Sequence, residues 1–164
     1  MAASLNIRQA ENSDVPLILA LIRELATYER LAHDVVATED GLAKTLFGRE
    51  PGAFVLIAEV DGVPAGFALY FFNYSTFLGR PGIFLEDLFV RPETRGRGVG
   101  RALLSRLAAI AAARGCGRLE WSVLDWNEGA IGFYRRLGAT PMDDWTVFRL
   151  TGDALARLAG EGQV

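Results

Sequence analysis

The chain has a single cysteine, Cys116, so no internal disulfide can form and a reducing compartment is expected. Its single histidine, His33, has no cysteine at ligand spacing, so no metal site is expected either. Cys116 falls in Arg114-Gly115-Cys116-Gly117, which reads as a helix-to-strand turn carrying a packed thiol, and His33 reads as a solvated loop residue. Long apolar runs are missing too. The longest early one, Leu17 to Ile22, is closed by Arg23 and Glu24 and is too short to span a bilayer. Met1-Ala2-Ala3-Ser4 lacks the basic start of an export signal, so a cytoplasmic protein with no membrane partner is expected. Cationic runs are equally scarce: the net charge is -3 and the positive charges are scattered, which argues against a nucleic-acid partner. No repeat, low-complexity segment or linker interrupts the 164 residues, 51% of them hydrophobic. One domain over residues 1–164 is therefore expected, around a substantial core.

What the sequence does hold is a regular alternation of elements. Leu5 to Arg8 alternates as a short strand, and Asn12 or Ser13 then caps a helix with Pro16 in its first turn. Leu17, Leu21, Leu25 and Tyr28 recur at helical spacing, which puts Tyr28 at the C-terminal end with Glu29 directly after it. Thr38 caps a second helix that runs through Phe47. Phe54 to Val60, the Asp61-Gly62 turn and Ala65 to Tyr74 form a hairpin, and Arg80-Pro81-Gly82 turns the chain into another strand, Ile83 to Val90. A helix from Gly98 to Arg114, a strand from Arg118 to Leu124 and a helix capped by Asn127 and stopped at Gly138 follow. Trp145 to Leu150 reads as a last strand, and Thr151 or Asp153 caps a terminal helix that frays into Gly160 to Val164. The order implies an α/β fold with a mixed central sheet flanked by helices.

The stretch from Leu88 to Arg101 organises the rest. It reads as an apolar strand (Leu88, Phe89, Val90), a proline-marked exit, a loop with glycine at 96, 98 and 100, and then the start of a helix. Glycine lets successive main-chain N–H groups approach an anion at the positive end of a helix dipole, and Arg95, Arg97 and Arg101 add charge-assisted donors. The spacing is not that of a dinucleotide fingerprint, and no Gly-Lys-Ser/Thr follows to make a nucleotide P-loop. A tight turn that needs glycine only for its geometry is the remaining alternative, but three arginines around three glycines exceed what a turn requires.

Glu86 and Asp87 interrupt an otherwise apolar strand. Burying carboxylates without partners costs several kcal/mol, so the pair needs a reason. Side chains alternate faces along a strand, so the two acids part to opposite sides unless a bulge brings them together. An edge-strand acid meeting a surface arginine is the plainer alternative. Farther on, Tyr134 lies seven residues after Asn127 and shares its helix face.

Arg95-x-x-Gly98-x-Gly100 after a strand ending in Val90 resembles the acyl-CoA pyrophosphate loop of the GNAT superfamily of N-acetyltransferases, and Asn127-x6-Tyr134 resembles that superfamily's asparagine–tyrosine helix. Within it, Leu85-Glu86-Asp87-Leu88-Phe89-Val90 and the run from Trp126 to Ala139 are most similar to the diamine (spermidine/spermine) N-acetyltransferase group, which includes enzymes acting on thialysine-like amino acids. The resemblance implies the GNAT fold and a homodimer. It also implies that Leu88, Phe89, Val90, Gly96 to Arg101 (Gly96, Arg97, Gly98, Val99, Gly100, Arg101), and Asn127, Glu128, Gly129 and Ala130 contact acetyl-CoA. By the same resemblance Tyr28, Glu29, Glu86, Glu120, Trp121 and Ser122 meet the amine, and Tyr134 is the proton donor. Gly129 stands where the group tends to have proline, which loosens the helix start.

Acetyl transfer to an amine makes three chemical demands. An ammonium must lose a proton before it attacks, a task for a carboxylate such as Glu86 acting directly or through water. The tetrahedral oxyanion needs a fixed donor, such as a main-chain N–H where Leu88-Phe89-Val90 is splayed. The leaving thiolate needs an acid, for which the Tyr134 phenol is suited. Glu29, Glu86, Asp87 and Glu120 together offer an acidic wall to a small cationic amine. The expectation is thus an acetyl-CoA-dependent N-acetyltransferase without metal; acetylation of a protein or peptide amine, and a non-catalytic acyl-CoA-sensing module, are the alternatives.

Overall fold

A computed structural model describes residues 4–162; the absence of a basic leader in residues 1–3 and the fraying of residues 163 and 164 lie outside them. The chain divides into two units at Leu124/Asp125. The first holds five strands, β1 (Leu5–Gln9), β2 (Phe54–Val60), β3 (Val63–Ser75), β4 (Arg80–Val90) and β5 (Leu119–Trp121), in the spatial order β1-β2-β3-β4-β5. Pairing is antiparallel from β1 to β4 and parallel between β4 and β5, so the sheet is mixed as expected. Three helices accompany it: α1 (Val15–Tyr28), α2 (Glu39–Phe47) and α3 (Val99–Ala113).

Alternation along β2 and β3 sorts the two faces. Val55, Ile57 and Phe67, with Phe89 of β4, pack against Ile18, Leu21 and Leu25 of α1 and Leu46 of α2. The opposite side presents Phe54, Tyr70 and Phe72 toward Ile110 and Ala113 of α3 and Arg114, which ends it, around a cleft of about 370 Å³. Local signals explain the helix starts. Asp14 and Glu11 form a reciprocal capping box over a 3-10 turn at Asn12–Asp14, where Asn12 or Ser13 was the expected cap, and Thr38 accepts the Gly41 N–H at 3.1 Å. Asp14 also takes two hydrogen bonds from the Arg8 guanidinium, at 2.8 and 2.9 Å, while Arg8 Nε donates to Glu59 at 2.8 Å.

Three elements depart from expectation. The turn between β3 and β4 lies at residues 76–79, with Gly79 at φ 62°, while Arg80, Pro81 and Gly82 belong to β4. Pro81 lies opposite Tyr74 and Gly82 opposite Asn73 of β3; the Pro81 carbonyl accepts the Gly117 N–H at 2.9 Å, and a Cβ at Gly82 would sit 2.5 Å from Asn73 Oδ1. Secondly, β5 spans three residues and leaves Ser122 outside the strand. In the second unit, helices α4 (Glu128–Arg136) and α5 (Gly152–Glu161) form as expected, but Trp145–Leu150 is not a strand. Its alternation is real, but a strand is defined by a ladder, and none forms there among the described residues. Among the described residues no helix is long and apolar enough to cross a membrane.

Candidate active site

A β-bulge builds the acidic part of the site. Leu69 pairs with Asp87 and Tyr70 with Leu85, so Glu86 is the extra residue in β4. The slip keeps Asp87 on the α1 face, beside Leu69 and Phe89, and places Glu86 close enough for its charge to act on Asp87. Glu29, the residue that ends α1, acts on Asp87 in the same way. Burial, then Glu86, then Glu29 push the Asp87 carboxyl up to about 6. Burial also pushes Glu29 up. Three of the four acids expected in the wall are therefore brought together. Glu120 is held differently: Arg118 Nε lies 2.8 Å from its carboxylate, and β5 register sets it beside Phe84. Trp121 is half-buried opposite Leu85, and Ser122 is exposed.

Aromatic rings flank the acids. Tyr28 and Phe89 lie 6.5 Å apart between centroids, and the Arg95 guanidinium carbon sits 4.7 Å over the Tyr28 ring and 5.8 Å from that of Phe89. Neither this stack nor the clamp beside it is apparent from the chain alone. Arg91 grips Glu24 of α1 through Nη2 and Nε, at 2.7 and 3.0 Å, and donates from Nη1 to the Pro64 carbonyl. Glu24 and Tyr28 are one helical turn apart, as Arg91 and Arg95 are four residues apart, and that matching spacing is the signal available in the sequence.

Beyond β4, the chain makes the open loop that its glycines suggest. Gly96 and Gly98 have φ of 76° and 80°, and Gly98 caps α3. A Cβ at either position would meet nothing within 4 Å, so glycine is required by backbone conformation there and not by crowding. Among the described residues, no carbonyl or side chain accepts the N–H of Gly96, Arg97 or Gly98. Together with the unpaired amides that begin any helix, they leave Val99, Gly100 and Arg101 at the rim of a donor-rich cup. Parallel pairing of β4 with β5 stops at Leu85–Trp121, so Leu88, Phe89 and Val90 lie past the point where the two strands are laced. That parting leaves β4 main chain available to a ligand.

The remaining candidates lie in the second unit. Asn127 caps α4, its Oδ1 accepting the Ala130 N–H at 3.3 Å, so the helix begins at Glu128 in spite of Gly129. Tyr134 lies two turns on, its ring 5.5 Å from Phe133. Cys116 is half-buried in its turn, its N–H bonded to the Ala111 carbonyl, and His33 lies exposed 3.4 Å from Asp34.

A mixed sheet whose one parallel pair separates, followed by a loop of bare amides that opens a helix, is the framework of an acyl-CoA-dependent N-acyltransferase. Comparison with known proteins makes the class definite: the chain belongs to the Acetyltransferase (GNAT) family, whose model matches residues 18–139, and it is an N-acetyltransferase. Enzymes of this family use acetyl-CoA as donor. The chain is 42% identical over 166 residues to the thialysine N-epsilon-acetyltransferase of Bos taurus, covering 94% of this chain and 97% of that protein. It is 38% identical to an L-ornithine N5-acetyltransferase of Arabidopsis thaliana, covering 91% and 85%. Among solved structures, an integron cassette protein from the mobile metagenome of V. cholerae superposes with a TM-score of 0.80 at 28% identity, covering 97% of this chain and 98% of the other.

Proposed function

We propose that this enzyme moves the acetyl group of acetyl-CoA to the primary amine of a small cationic substrate, a diamine or a thialysine-like amino acid, by direct transfer within a ternary complex. The observation that carries this reading is the convergence of Glu29, Glu86 and Asp87 beside the Tyr28 ring, in the same unit as an unengaged amide loop. Such a cluster of acids and an aromatic ring selects an organic cation by charge and by ring face. The names of the relatives, acting on thialysine and L-ornithine, support an acceptor with an ammonium on a flexible arm.

In this mechanism the main chain of Gly96 to Arg101, with Arg95, holds the diphosphate of the donor, and Leu88 to Val90 and Asn127 to Ala130 align its arm. Asp87, Glu29, Tyr28, Glu120, Trp121 and Ser122 seat the amine. Glu86 takes the proton from the ammonium, directly or through water, freeing the nitrogen lone pair to attack the thioester carbon. A main-chain N–H of the parted strand steadies the oxyanion. As the carbon–sulfur bond breaks, the Tyr134 phenol gives its proton to the departing thiolate, and the acylated nitrogen releases its second proton, through water, to restore the phenol and leave a neutral amide. One catalytic domain across the chain, a homodimeric state and a cytoplasmic location complete the proposal.

The test is an acetylation assay with acetyl-CoA against spermidine, putrescine, thialysine, ornithine and lysine, read as CoA release and product mass. Acetylated thialysine, ornithine or a diamine is the expected result. Failure of every small amine, with acetylation of a protein substrate, would overturn it.

A further inference from the structure

Arg95 is the residue immediately before the glycine loop, yet its side chain points back along the strand. Its guanidinium covers Tyr28 at 4.7 Å, lies 5.8 Å from Phe89, and donates from Nε to the Val90 carbonyl at 2.9 Å. Those rings belong to the amine side of the site. Tyr28 precedes Glu29, and Phe89 stands two residues from Asp87 on the same sheet face. Arg91, by contrast, is locked to Glu24 by a two-pronged ion pair. Arg95 is exposed and makes no ion pair among the described residues, so ring faces and one neutral carbonyl are what hold it.

We infer that Arg95 is a place-holding cation: its guanidinium occupies the ring face over which the substrate ammonium is to sit, and donor binding withdraws it. This rests on the acetyl transfer proposed above. An anion seated on the amides of Gly96, Arg97 and Gly98 lies within one to three residues of Arg95. A charge-assisted guanidinium–phosphate bond outweighs an exposed cation–π contact and one neutral hydrogen bond, so the side chain swings to the diphosphate. The Tyr28 face then opens beside Glu29 and Asp87. Arg95 is thus a positioning residue that makes amine affinity depend on the donor, and by linkage the amine strengthens CoA binding by the same factor.

Calorimetric titration of thialysine and of putrescine into the full-length enzyme, with and without saturating CoA thiol, reads this coupling without turnover. In the wild type, CoA is expected to tighten the probe about tenfold or more. Arg95→Ala is expected to bind the probe without CoA about as tightly as the wild type binds it with CoA, to lose the coupling, and to bind CoA more weakly. Arg95→Gln, which keeps the length and loses the charge, should behave likewise and serves if Arg95→Ala does not fold. Arg95→Lys, which keeps a cation, should retain part of the coupling. The inference is overturned if the wild type shows no coupling, or if either neutral variant retains the wild-type coupling or binds the free probe no better. An enzyme that binds no CoA and acetylates no small amine would instead sink the proposed function itself.

Discussion

Asp87 has its carboxyl pushed up to about 6 by burial first and then by Glu86 and Glu29. Between its ordinary value of 3.8 and about 6, the folded chain keeps a proton there that the unfolded chain has lost. Its contribution is therefore fully present below about pH 4 and is lost as pH rises through about 6, a loss of up to about 3 kcal/mol. Asp87→Asn should stabilise the ligand-free protein near neutrality and leave it little changed at pH 4, as urea unfolding at the two pH values will report. The same substitution should raise the amine KM, because it removes one of three converging negative charges. Glu86→Gln should lower kcat by about 10²- to 10⁴-fold and alter the pH–rate profile; an unmoved profile removes its role as base. Tyr134→Phe should retain CoA affinity in calorimetry while cutting turnover by a similar factor, and unchanged turnover would remove the phenol from the mechanism.

Elements are pinned by a few ion pairs that lie at their ends. Arg8 ties β1 to the 3-10 turn through Asp14 and to β2 through Glu59. The Arg8 side chain holds both carboxyls below their ordinary range. For a lowered acid the stabilisation is present above the ordinary pKa and is lost as pH falls through the lowered one, so this cluster weakens in acid while Asp87 changes in the opposite sense. Arg8→Met should cost about 1–3 kcal/mol at neutral pH by leaving two partly buried acids without their donor, and the deficit should shrink as pH drops below about 4. Thermal unfolding at pH 7 and pH 3.5 checks it. A second clamp, Arg91 on Glu24, fixes where β4 hands over to the glycine loop, and so sets the loop relative to α1.

For the molecule as a whole, the question is what covers the apolar stretch that forms no strand. Trp145, Val147 and Phe148 are 76%, 84% and 93% exposed, and Leu155 and Leu158 of α5 are exposed as well. Large apolar side chains left exposed in such number are what a second copy of the chain would cover, which fits the proposed homodimer. Light scattering on the purified protein should give twice the 17.9 kDa chain mass, and Phe148→Asp should return it to the single-chain value. A wild-type mass of one chain overturns the dimer. Most elements, the α/β class and the glycine loop were legible from spacing, caps and glycines, because these act between residues near in sequence: Thr38, Asn127, Gly98 and the periodic leucines each announce their element locally. What the chain alone left open was set by partners distant in sequence. The Leu69–Tyr70 register decides that Glu86 and Asp87 stay within reach of each other, and pairing with Tyr74 and Asn73 of β3 keeps Pro81 and Gly82 in a strand. The return of Arg95 onto Tyr28 brings together residues 67 positions apart, and the alternation of Trp145 to Leu150 acquires no ladder. Local preference sets what a segment can become; only the packed sheet supplies the neighbour that determines whether it does.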